Sequence, residues 1–252
     1  MTQPTTRFSN RVDNYVRFRP KYPTALIPYL AKHCQLTPSS VVADIGSGTG
    51  KLSELFLDYG CQTIGVEPNG PMRLAAEALF TGRANFVNVD GSAETTTLAD
   101  NSADFIIAGQ AFHWFEPQPT RREFVRILRP GGIVGLIWNE RLQTDPFQYA
   151  YDQLLQQHAL NYGKVNHRNI TAERIGRFFA PNVCQLATFD YAQSFDRAGL
   201  TGRALSSSYT PAPDHPQHKP FVNALHALFD AHQTSGQVQF NYETKLFYGP
   251  LA

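Results

Sequence analysis

The sequence predicts an α/β protein built on a doubly wound, mostly parallel sheet of seven strands. Three observations support this fold class. Short apolar runs alternate with segments of helical period, the first run ends in a glycine-rich turn, and residues 237–248 alternate strictly between apolar and polar side chains. At 252 residues the chain is long enough for one such domain with additions. We therefore expect a single domain over residues 1–252.

A glycine turn follows the first predicted strand. Residues 41–50 read Val-Val-Ala-Asp-Ile-Gly-Ser-Gly-Thr-Gly, and a helix follows with Leu52, Leu55, Phe56 and Tyr59 on one face. Glycines at alternate positions allow a tight turn and leave bare main chain beside a ligand. The N–H groups at the start of the helix can then face an electron-rich edge of that ligand.

Residue identity excludes two better-known glycine loops. The dinucleotide fingerprint Gly-x-Gly-x-x-Gly requires glycine at position 51, which is Lys51. A phosphate-binding loop requires glycine at position 45 and Ser or Thr at position 52, which are Ile45 and Leu52. The pattern that remains is Asp-x-Gly-x-Gly-x-Gly, with Asp44 at the end of the strand. A carboxylate there suits a cationic ligand better than a pyrophosphate.

A second acid ends the second predicted strand. Residues 61–68 read Cys-Gln-Thr-Ile-Gly-Val-Glu-Pro and are predicted to form another strand, ending in Glu67. Glu67 stands roughly 20 residues past the glycine turn, where a carboxylate can accept hydrogen bonds from both hydroxyls of a ribose. With Asp44 near a methionine-like end, the two acids predict a pocket for a cationic nucleoside. The alternative is an ordinary strand–helix turn in which both acids cap helices.

These motifs resemble those of the class I S-adenosylmethionine-dependent methyltransferases, in particular the methyltransferase type 11 branch. The resemblance implies a Rossmann-like sheet with a final antiparallel strand near its edge, a helical cap and a small-molecule acceptor. It also implies S-adenosyl-L-methionine as cofactor and S-adenosyl-L-homocysteine as product. The cofactor-binding residues expected on this basis are Asp44, Gly46, Ser47, Gly48, Gly50, Glu67, Pro68, Ser92, Ala93 and Gln110.

The loop after the third predicted strand, residues 90–94, lies along the adenine in the family that the chain resembles. Many relatives carry Asp at the position of Ser92, and a hydroxyl there leaves the same hydrogen bond available. The resemblance implies adenine contact through Ser92 and Ala93. The alternative is an Asx-type turn in which Ser92 or Glu94 caps a turn of helix.

The fourth predicted strand, residues 105–109, is apolar throughout, as in a strand covered on both faces. Ligands of open α/β sheets bind beyond the carboxyl ends of the strands, so Gln110 is expected near the methionine part of the cofactor. His113 and Trp114 are expected on the acceptor side. His113 is a candidate general base, or a residue that only orients the acceptor. Trp114 offers its ring face to a cation, or packs in the core.

Two further segments carry candidate acceptor residues. The N-terminal aromatic and arginine pattern resembles the arm of the trans-aconitate methyltransferase-like group, which makes Tyr15, Arg19 and Tyr22 candidates in a lid; the alternative is a surface arm. Residues 206–209 resemble a substrate-side segment of the same group, and Arg203 just before them is a candidate partner for an acceptor carboxylate.

Helical periodicity and the resemblance together divide the domain into four parts. We expect an arm and lid helix in 1–35, a cofactor-binding half in 36–140, a helical insertion or cap in 141–182, and C-terminal strands and helices in 183–252. The helix after Glu67 is expected to bury Met72, Ala75 and Leu79. A later helix is expected to expose its charged residues, which are Arg121, Arg122, Glu123 and Arg126.

Composition narrows the function classes. The net charge is +1 and no basic block stands out, so a nucleic-acid partner is not predicted. Three scattered cysteines show no metal-ligand spacing, which predicts no metal and favours a reducing cytoplasm. No apolar run reaches the ~18 residues of a membrane span. On the resemblance described above, a small-molecule methyltransferase, as monomer or homodimer, is the main hypothesis, and a cofactor-binding protein without turnover is the alternative. A nicotinamide oxidoreductase is a weaker rival.

Overall fold

The computed structural model describes residues 16–160, 162 and 171–251, and these residues surround one central sheet. Its strands are β1 (Val41–Ile45), β2 (Gln62–Val66), β3 (Phe86–Val89), β4 (Ala103–Gly109), β5 (Leu128–Arg141), β6 (Gln185–Phe195) and β7 (Val238–Gly249). The strand order is β3-β2-β1-β4-β5-β7-β6. Strands β1 to β5 pair in parallel, whereas β7 runs antiparallel to both β5 and β6. The predicted fold class is confirmed.

Helices connect the strands. They are α1 (Leu26–Cys34), α2 (Ser53–Tyr59), α3 (Gly70–Leu79), α4 (Pro117–Ile127), α5 (Pro146–His158), α6 (Ala172–Phe179), α7 (Arg197–Leu205) and α8 (His218–His232), with a 3-10 turn at Phe112–Trp114. Polar side chains cap the starts of four of the described helices: Asn69 accepts from the Met72 N–H, Asp145 from that of Gln148, Thr171 from that of Arg174 and Asp196 from that of Gly199. None of the described helices combines the length and the hydropathy that crossing a membrane requires.

The core follows from the two-residue repeat of the strands. In β4, Ile106 packs into one apolar cluster, whereas Phe105 and Ile107 pack into another. The sheet is therefore buried on both faces, as the continuous apolar run predicts. A third apolar cluster joins α5, α7 and α8 to the end of β6 and the start of β7. It includes Tyr151 and Phe240. This cluster attaches α5, α7 and α8 to the sheet, whereas α6 packs into the first cluster.

Two predictions about helix faces are wrong. In α3 the buried residues are Met72 and Ala76, and the following residue Phe80 is also buried, while Leu79 is 45% exposed. In α4, Glu123 points inward instead of into solvent. Its Oε1 accepts hydrogen bonds from the Thr96 N–H and hydroxyl at 2.7 and 2.5 Å.

The inward position of Glu123 has a specific cause. The loop before β4 crosses α4 at this point, and its polar groups require an acceptor. Hydrogen bonds from Arg126, assisted by those from Thr96, lower the pKa of the Glu123 carboxyl to about 2. A short-range charge pattern does not reveal this contact, because the partner lies 27 residues away in the chain.

Candidate active site

The turn after β1 is held by backbone hydrogen bonds to the end of β2. The N–H groups of Gly46 and Ser47 donate to the Val66 carbonyl at 2.8 and 3.2 Å. Gly46 and Gly48 both have positive φ, at 69° and 57°, which glycine adopts without steric cost. A Cβ added to Gly46 would lie 2.8 Å from the Ala111 Cβ, whereas one added to Gly48 would meet nothing within 4 Å. Gly46 therefore allows close packing, and Gly48 leaves main chain open to a ligand.

A groove runs from this turn across the ends of β2 and β4. The residues that line it are Gly46, Gly48, Glu67, Pro68, Asn69, Met72, Ser92, Ala93, Glu94, Gly109, Gln110, Ala111, Trp114 and Phe115. Seven of the predicted cofactor residues are among them: Gly46, Gly48, Glu67, Pro68, Ser92, Ala93 and Gln110. Gly50 lines neither this groove nor the chamber described below, because it packs directly against the Phe80 ring.

Glu67 is fixed at the edge of this groove. Its Oε2 accepts from the Gly48 N–H and its Oε1 from the Asn69 N–H, each at 2.9 Å. A carboxylate oxygen has two lone pairs, so each oxygen can accept one further hydrogen bond. Burial raises the pKa of this carboxyl, although the two backbone hydrogen bonds oppose the shift. The side chain is therefore positioned to accept a pair of hydroxyls.

Asp44 lies behind the glycine turn and is 1% exposed. Its Oδ2 accepts a hydrogen bond from the Ser53 hydroxyl at 2.6 Å, and its Oδ1 is buried with no hydrogen-bond partner among the described residues. Burial raises the pKa of the Asp44 carboxyl to about 7, and the charge of Glu67 adds to the shift. A buried acceptor atom without a partner is costly, so a cationic ligand group would stabilise this site.

A second cavity, the chamber, opens beside the groove. Its lining residues are Arg19, Pro20, Tyr22, Asp44, Gly46, Ser47, Thr49, Lys51, Leu52, Gly109, Gln110, His113, Trp114, Asn139, Arg141, Tyr162, Arg203, Ser208, Tyr209 and Tyr242. The structure therefore brings together the candidate acceptor residues Arg19, Tyr22, His113, Trp114 and Arg203. Tyr15, the remaining candidate, lies outside the described residues.

Groove and chamber meet at one place, which we call the junction. The residues that line both cavities are Gly46, Gly109, Gln110 and Trp114. Gln110 has a φ of +54°, an uncommon conformation for a residue with a side chain, and its amide donates to the Asn139 carbonyl at 3.0 Å. Such backbone strain persists only where surrounding structure imposes it, and it concentrates at functional sites.

The segment before α1 forms one wall of the chamber. Lys51 Nζ donates to the Val16 carbonyl at 2.6 Å, and Asn139 Nδ2 donates to the Lys21 carbonyl at 2.9 Å. Arg19 donates to the Ser206 carbonyl at 3.1 Å. These bonds tie residues 16–21 to the glycine turn, to β5 and to the end of α7. The predicted lid thus contacts three parts of the site.

The chamber carries more positive than negative side chains. Among the described residues that line it, Arg19, Lys51, Arg141 and Arg203 are cationic and Asp44 is a carboxylate. Burial lowers the pKa of Lys51 to about 8. Such a lining favours an anionic ligand over a cationic or neutral one. No group of three potential metal ligands occurs within the described ranges.

Several lining residues were not predicted from the sequence. Asn69 and Glu94 adjoin predicted residues, so extension of each motif by one or two positions would have found them. Tyr209 belongs to the segment 206–209 that resembles a substrate-side segment, whereas Arg141 and Tyr242 give no local signal. Arg141 and Tyr242 meet because β7 is inserted beside β5, where these two residues pair.

The comparisons with known proteins agree with this architecture. Residues 43–136 match the family described as Methyltransferase domain. An uncharacterised methyltransferase of Mycobacterium tuberculosis is 37% identical over 134 residues, which are 53% of this chain and 52% of that protein. An uncharacterised methyltransferase-like protein of Schizosaccharomyces pombe is 31% identical over 152 residues, 59% of this chain and 57% of that protein. The chain thus spans about half the length of the curated relatives it matches.

Solved structures share the fold over most of the chain. A proposed type II methyltransferase from Anaeromyxobacter dehalogenans superposes with a TM-score of 0.66 at 21% identity, covering 93% of this chain and 98% of that one. Geranyl diphosphate methyltransferase in complex with SAM superposes with a TM-score of 0.51 at 12% identity, covering 91% and 85%. Residues 43–136 of this chain therefore match a methyltransferase domain, and the chain shares its fold with solved structures of that class.

Proposed function

We propose that this protein transfers a methyl group from S-adenosylmethionine to a small-molecule acceptor. The observation that carries the proposal is the junction, where a groove with a glycine floor and a carboxylate at its edge opens into a cation-lined chamber. A methyltransferase must place two ligands in line, and two cavities that share Gly46 and Gln110 provide that arrangement.

The residues of the groove fit S-adenosylmethionine. Glu67 would accept the two ribose hydroxyls, and Ser92 with Ala93 would border the adenine. The unpartnered Oδ1 of Asp44 would accept from a cationic group at the methionine end. The cofactor, when bound, supplies a methyl group already activated by a positively charged sulfur. One structural neighbour, geranyl diphosphate methyltransferase, is known in complex with SAM, which supports the same use of this fold.

The chain itself contributes alignment and charge. Gln110 and Trp114 line both cavities, so they would restrict the direction in which the two ligands approach each other at the junction. Alignment alone can contribute several kcal/mol to lowering the barrier. His113 lines the chamber and would contact the acceptor. If the acceptor group is a carboxylate, it is already ionised at neutral pH, so His113 would orient it without removing a proton.

The charge of the chamber supports a carboxylate acceptor. Arg19 and Arg203 both line it, and a guanidinium group presents a fork of N–H donors that matches a carboxylate. Arg203 is 7% exposed, so solvent screens its charge little. We therefore include carboxylic acids of low molecular mass among the first acceptors to examine.

Two measurements test this proposal. Calorimetry should detect S-adenosylmethionine binding, and Glu67→Gln should weaken it tenfold or more, since charge-assisted hydrogen bonds contribute about 1.5–3 kcal/mol each. Glu77→Gln, in α3 and outside both cavities, is the matched control and should leave the affinity unchanged. Transfer of a labelled methyl group to a panel of small acids should give product. Absence of binding would refute the proposal, and binding without any product would favour a protein that holds the cofactor without turnover.

A further inference from the structure

The Tyr22 hydroxyl lies against the backbone of Gly109, one of the four residues of the junction. A Cβ added to Gly109 would overlap this hydroxyl and would lie 2.9 Å from the Cζ of the Tyr22 ring. Tyr22 also lines the chamber and is 7% exposed, and Gly109 lines both cavities. The hydroxyl therefore lies where the two ligands of the proposed reaction would meet, and the absence of a side chain at position 109 leaves room for it.

Asn139 holds the chain just before this tyrosine. Its Nδ2 donates at 2.9 Å to the carbonyl of Lys21, the residue that precedes Tyr22. Its Oδ1 accepts from the Thr244 hydroxyl at 2.6 Å. Asn139 is 4% exposed and Thr244 is fully buried, so solvent competes little for either bond. The amide of Asn139 thus connects the segment before α1 to β7.

The main chain of Asn139 holds the other side of the junction. Its carbonyl accepts from the Gln110 Nε2 at 3.0 Å, and Gln110 lines both cavities. The N–H of Gln110 donates to the Ile137 carbonyl of the same strand at 2.9 Å. One residue of β5 therefore positions Gln110 directly and Tyr22 through Lys21. A buried network of this kind is rigid and favours a single arrangement.

A phenolic hydroxyl at the junction can orient the atom that receives the methyl. It donates one hydrogen bond and can accept others, so it can hold an oxygen or a nitrogen with a lone pair directed at the methyl carbon. The acceptor atom gains the methyl, and the electron pair of the broken methyl–sulfur bond stays with the sulfur. With an ionised carboxylate the products are a neutral ester and a neutral thioether. No proton then has to move to or from Tyr22.

We propose that the Tyr22 hydroxyl is a catalytic group, which hydrogen-bonds to the acceptor atom that receives the methyl, and that Asn139 is the residue that positions it. The proposal rests on the function proposed above and adds to it the contact made at the reacting atoms. It also assigns a role to Gly109, which is to admit the hydroxyl to the junction.

A stability cycle tests the placement of the hydroxyl without cofactor or acceptor. Gly109→Ala should lower the Tm, because its Cβ would overlap the hydroxyl. In the Tyr22→Phe background the same substitution should lower the Tm by about half as much, since the overlapping atom is gone. Tyr149→Phe, at an exposed tyrosine of α5, is the matched control background and should leave the loss unchanged. Equal losses in the wild-type and Tyr22→Phe backgrounds would overturn the proposal.

Kinetics with an acceptor identified by labelled-methyl transfer tests the role of the hydroxyl. Tyr22→Phe should lower kcat about tenfold or more and change KM for the acceptor less, because the lost bond acts on the reacting atom. Tyr149→Phe should retain the wild-type values of both constants. A wild-type kcat in Tyr22→Phe, or a loss confined to KM, would refute a catalytic hydroxyl. If the wild-type protein methylates no acceptor, the proposed function fails, whereas the stability cycle still decides where the hydroxyl lies.

A second substitution tests the positioning role of Asn139. Asn139→Asp replaces the donor to Lys21 by a carboxylate oxygen and keeps an acceptor for Thr244. It should lower kcat, and the double variant with Tyr22→Phe should be no slower than the slower single variant, because both act through one hydroxyl. Asn223→Asp, at an exposed position of α8, is the matched control and should retain the wild-type kcat. Losses that multiply in the double variant would show that Asn139 does not act through Tyr22.

Discussion

Asp44 is a residue whose charge we expect to control cofactor affinity. Burial raises its pKa from the ordinary 3.8 to about 7, so a substantial fraction of the free protein holds a neutral carboxyl near neutral pH. A cationic ligand favours the ionised form. Affinity for S-adenosylmethionine should therefore rise as the pH increases from 5.5 to about 7 and level off above it. Calorimetry across this range checks the prediction.

The Asp44→Asn variant is the control for that pH dependence. It should bind more weakly at pH 8 and should show a flatter affinity profile, because no proton leaves position 44. A profile equally steep in the variant would assign the dependence to another group. Glu67 is the nearest alternative, since burial raises its pKa as well.

Asp44 also predicts a pH dependence of stability. Its folded pKa lies above its unfolded pKa, so its favourable contribution to the free energy of unfolding is complete below about pH 4 and is lost as the pH rises through about 7. Without cofactor, Asp44→Asn should therefore gain stability relative to the wild type as the pH rises from 4 to 8. Urea unfolding at several pH values measures this difference, and a difference that does not change with pH would contradict it.

Local spacing accounts for which site residues could be predicted. The glycine turn, Glu67 and Gln110 are encoded by short motifs at the ends of strands, and the structure places each of them at the groove. Arg141 and Tyr209 contribute as much to the chamber, but they come from segments about 70 residues apart in the chain, so no window of sequence shows them together. Glu123 illustrates the same limit for burial, because its partner Thr96 is remote in sequence.

At the scale of elements, the contact between α7 and the segment before α1 shapes the acceptor side. Gly202 lies in α7, and a Cβ at this position would overlap the Phe18 ring. We expect Gly202→Ala to displace residues 16–19 from α7. Because Arg19 belongs to this segment and lines the chamber, the variant should raise KM for the acceptor severalfold. Affinity for S-adenosylmethionine should change little, since neither residue lines the groove.

Gly176 provides the matched control for that substitution. It also lies within a helix, α6, and a Cβ there would meet nothing within 4 Å. Gly176→Ala should raise stability by up to about 1 kcal/mol through helix propensity and leave KM unchanged. If both substitutions stabilise the protein and neither alters KM, residues 16–19 do not shape the acceptor side.

The glycine turn between β1 and α2 gives a further prediction about an element. Gly46→Ala places a Cβ 2.8 Å from Ala111 and also strains a backbone with φ of 69°, whereas Gly48→Ala meets only the backbone strain. We expect Gly46→Ala to lower stability by more than Gly48→Ala, by about 1–3 kcal/mol. Gly48→Ala should instead weaken cofactor binding, because its Cβ projects into open groove. Denaturant unfolding and calorimetry on both variants distinguish the two effects.

At the scale of the whole molecule, the insertion of β7 between β5 and β6 explains how α5, α7 and α8 are attached to the sheet. The strand alternation of 237–248 predicted an antiparallel strand, and β7 pairs with β6 from Val238 to Tyr248. The first half of β7 contributes Phe240 and Tyr242 to the apolar cluster that contains α5, α7 and α8. The sequence could indicate that such a strand exists. It could not indicate which helices would pack on it, because that depends on side-chain volumes from segments distant in the chain.

Arg121 forms hydrogen bonds that connect the end of the described chain to two helices. Arg121 in α4 donates to the carbonyls of Phe178 at 3.0 Å, Ala180 at 2.8 Å and Leu251 at 2.9 Å. It thereby joins α4, the end of α6 and the segment after β7. The sequence pattern predicted a solvent-exposed position for Arg121. A charged donor that satisfies three carbonyls contributes more than a surface ion pair.

Arg121→Ala should therefore lower the free energy of unfolding by about 2–3 kcal/mol, since it leaves partly buried carbonyls without a donor. Arg122→Ala, at the exposed neighbouring position, should change it by less than about 0.5 kcal/mol. Urea unfolding of both variants measures the difference. Cofactor affinity should remain that of the wild type in each, because Arg121 and Arg122 line neither cavity. Equal stability of the two variants would show that these three hydrogen bonds do not anchor the end of the chain.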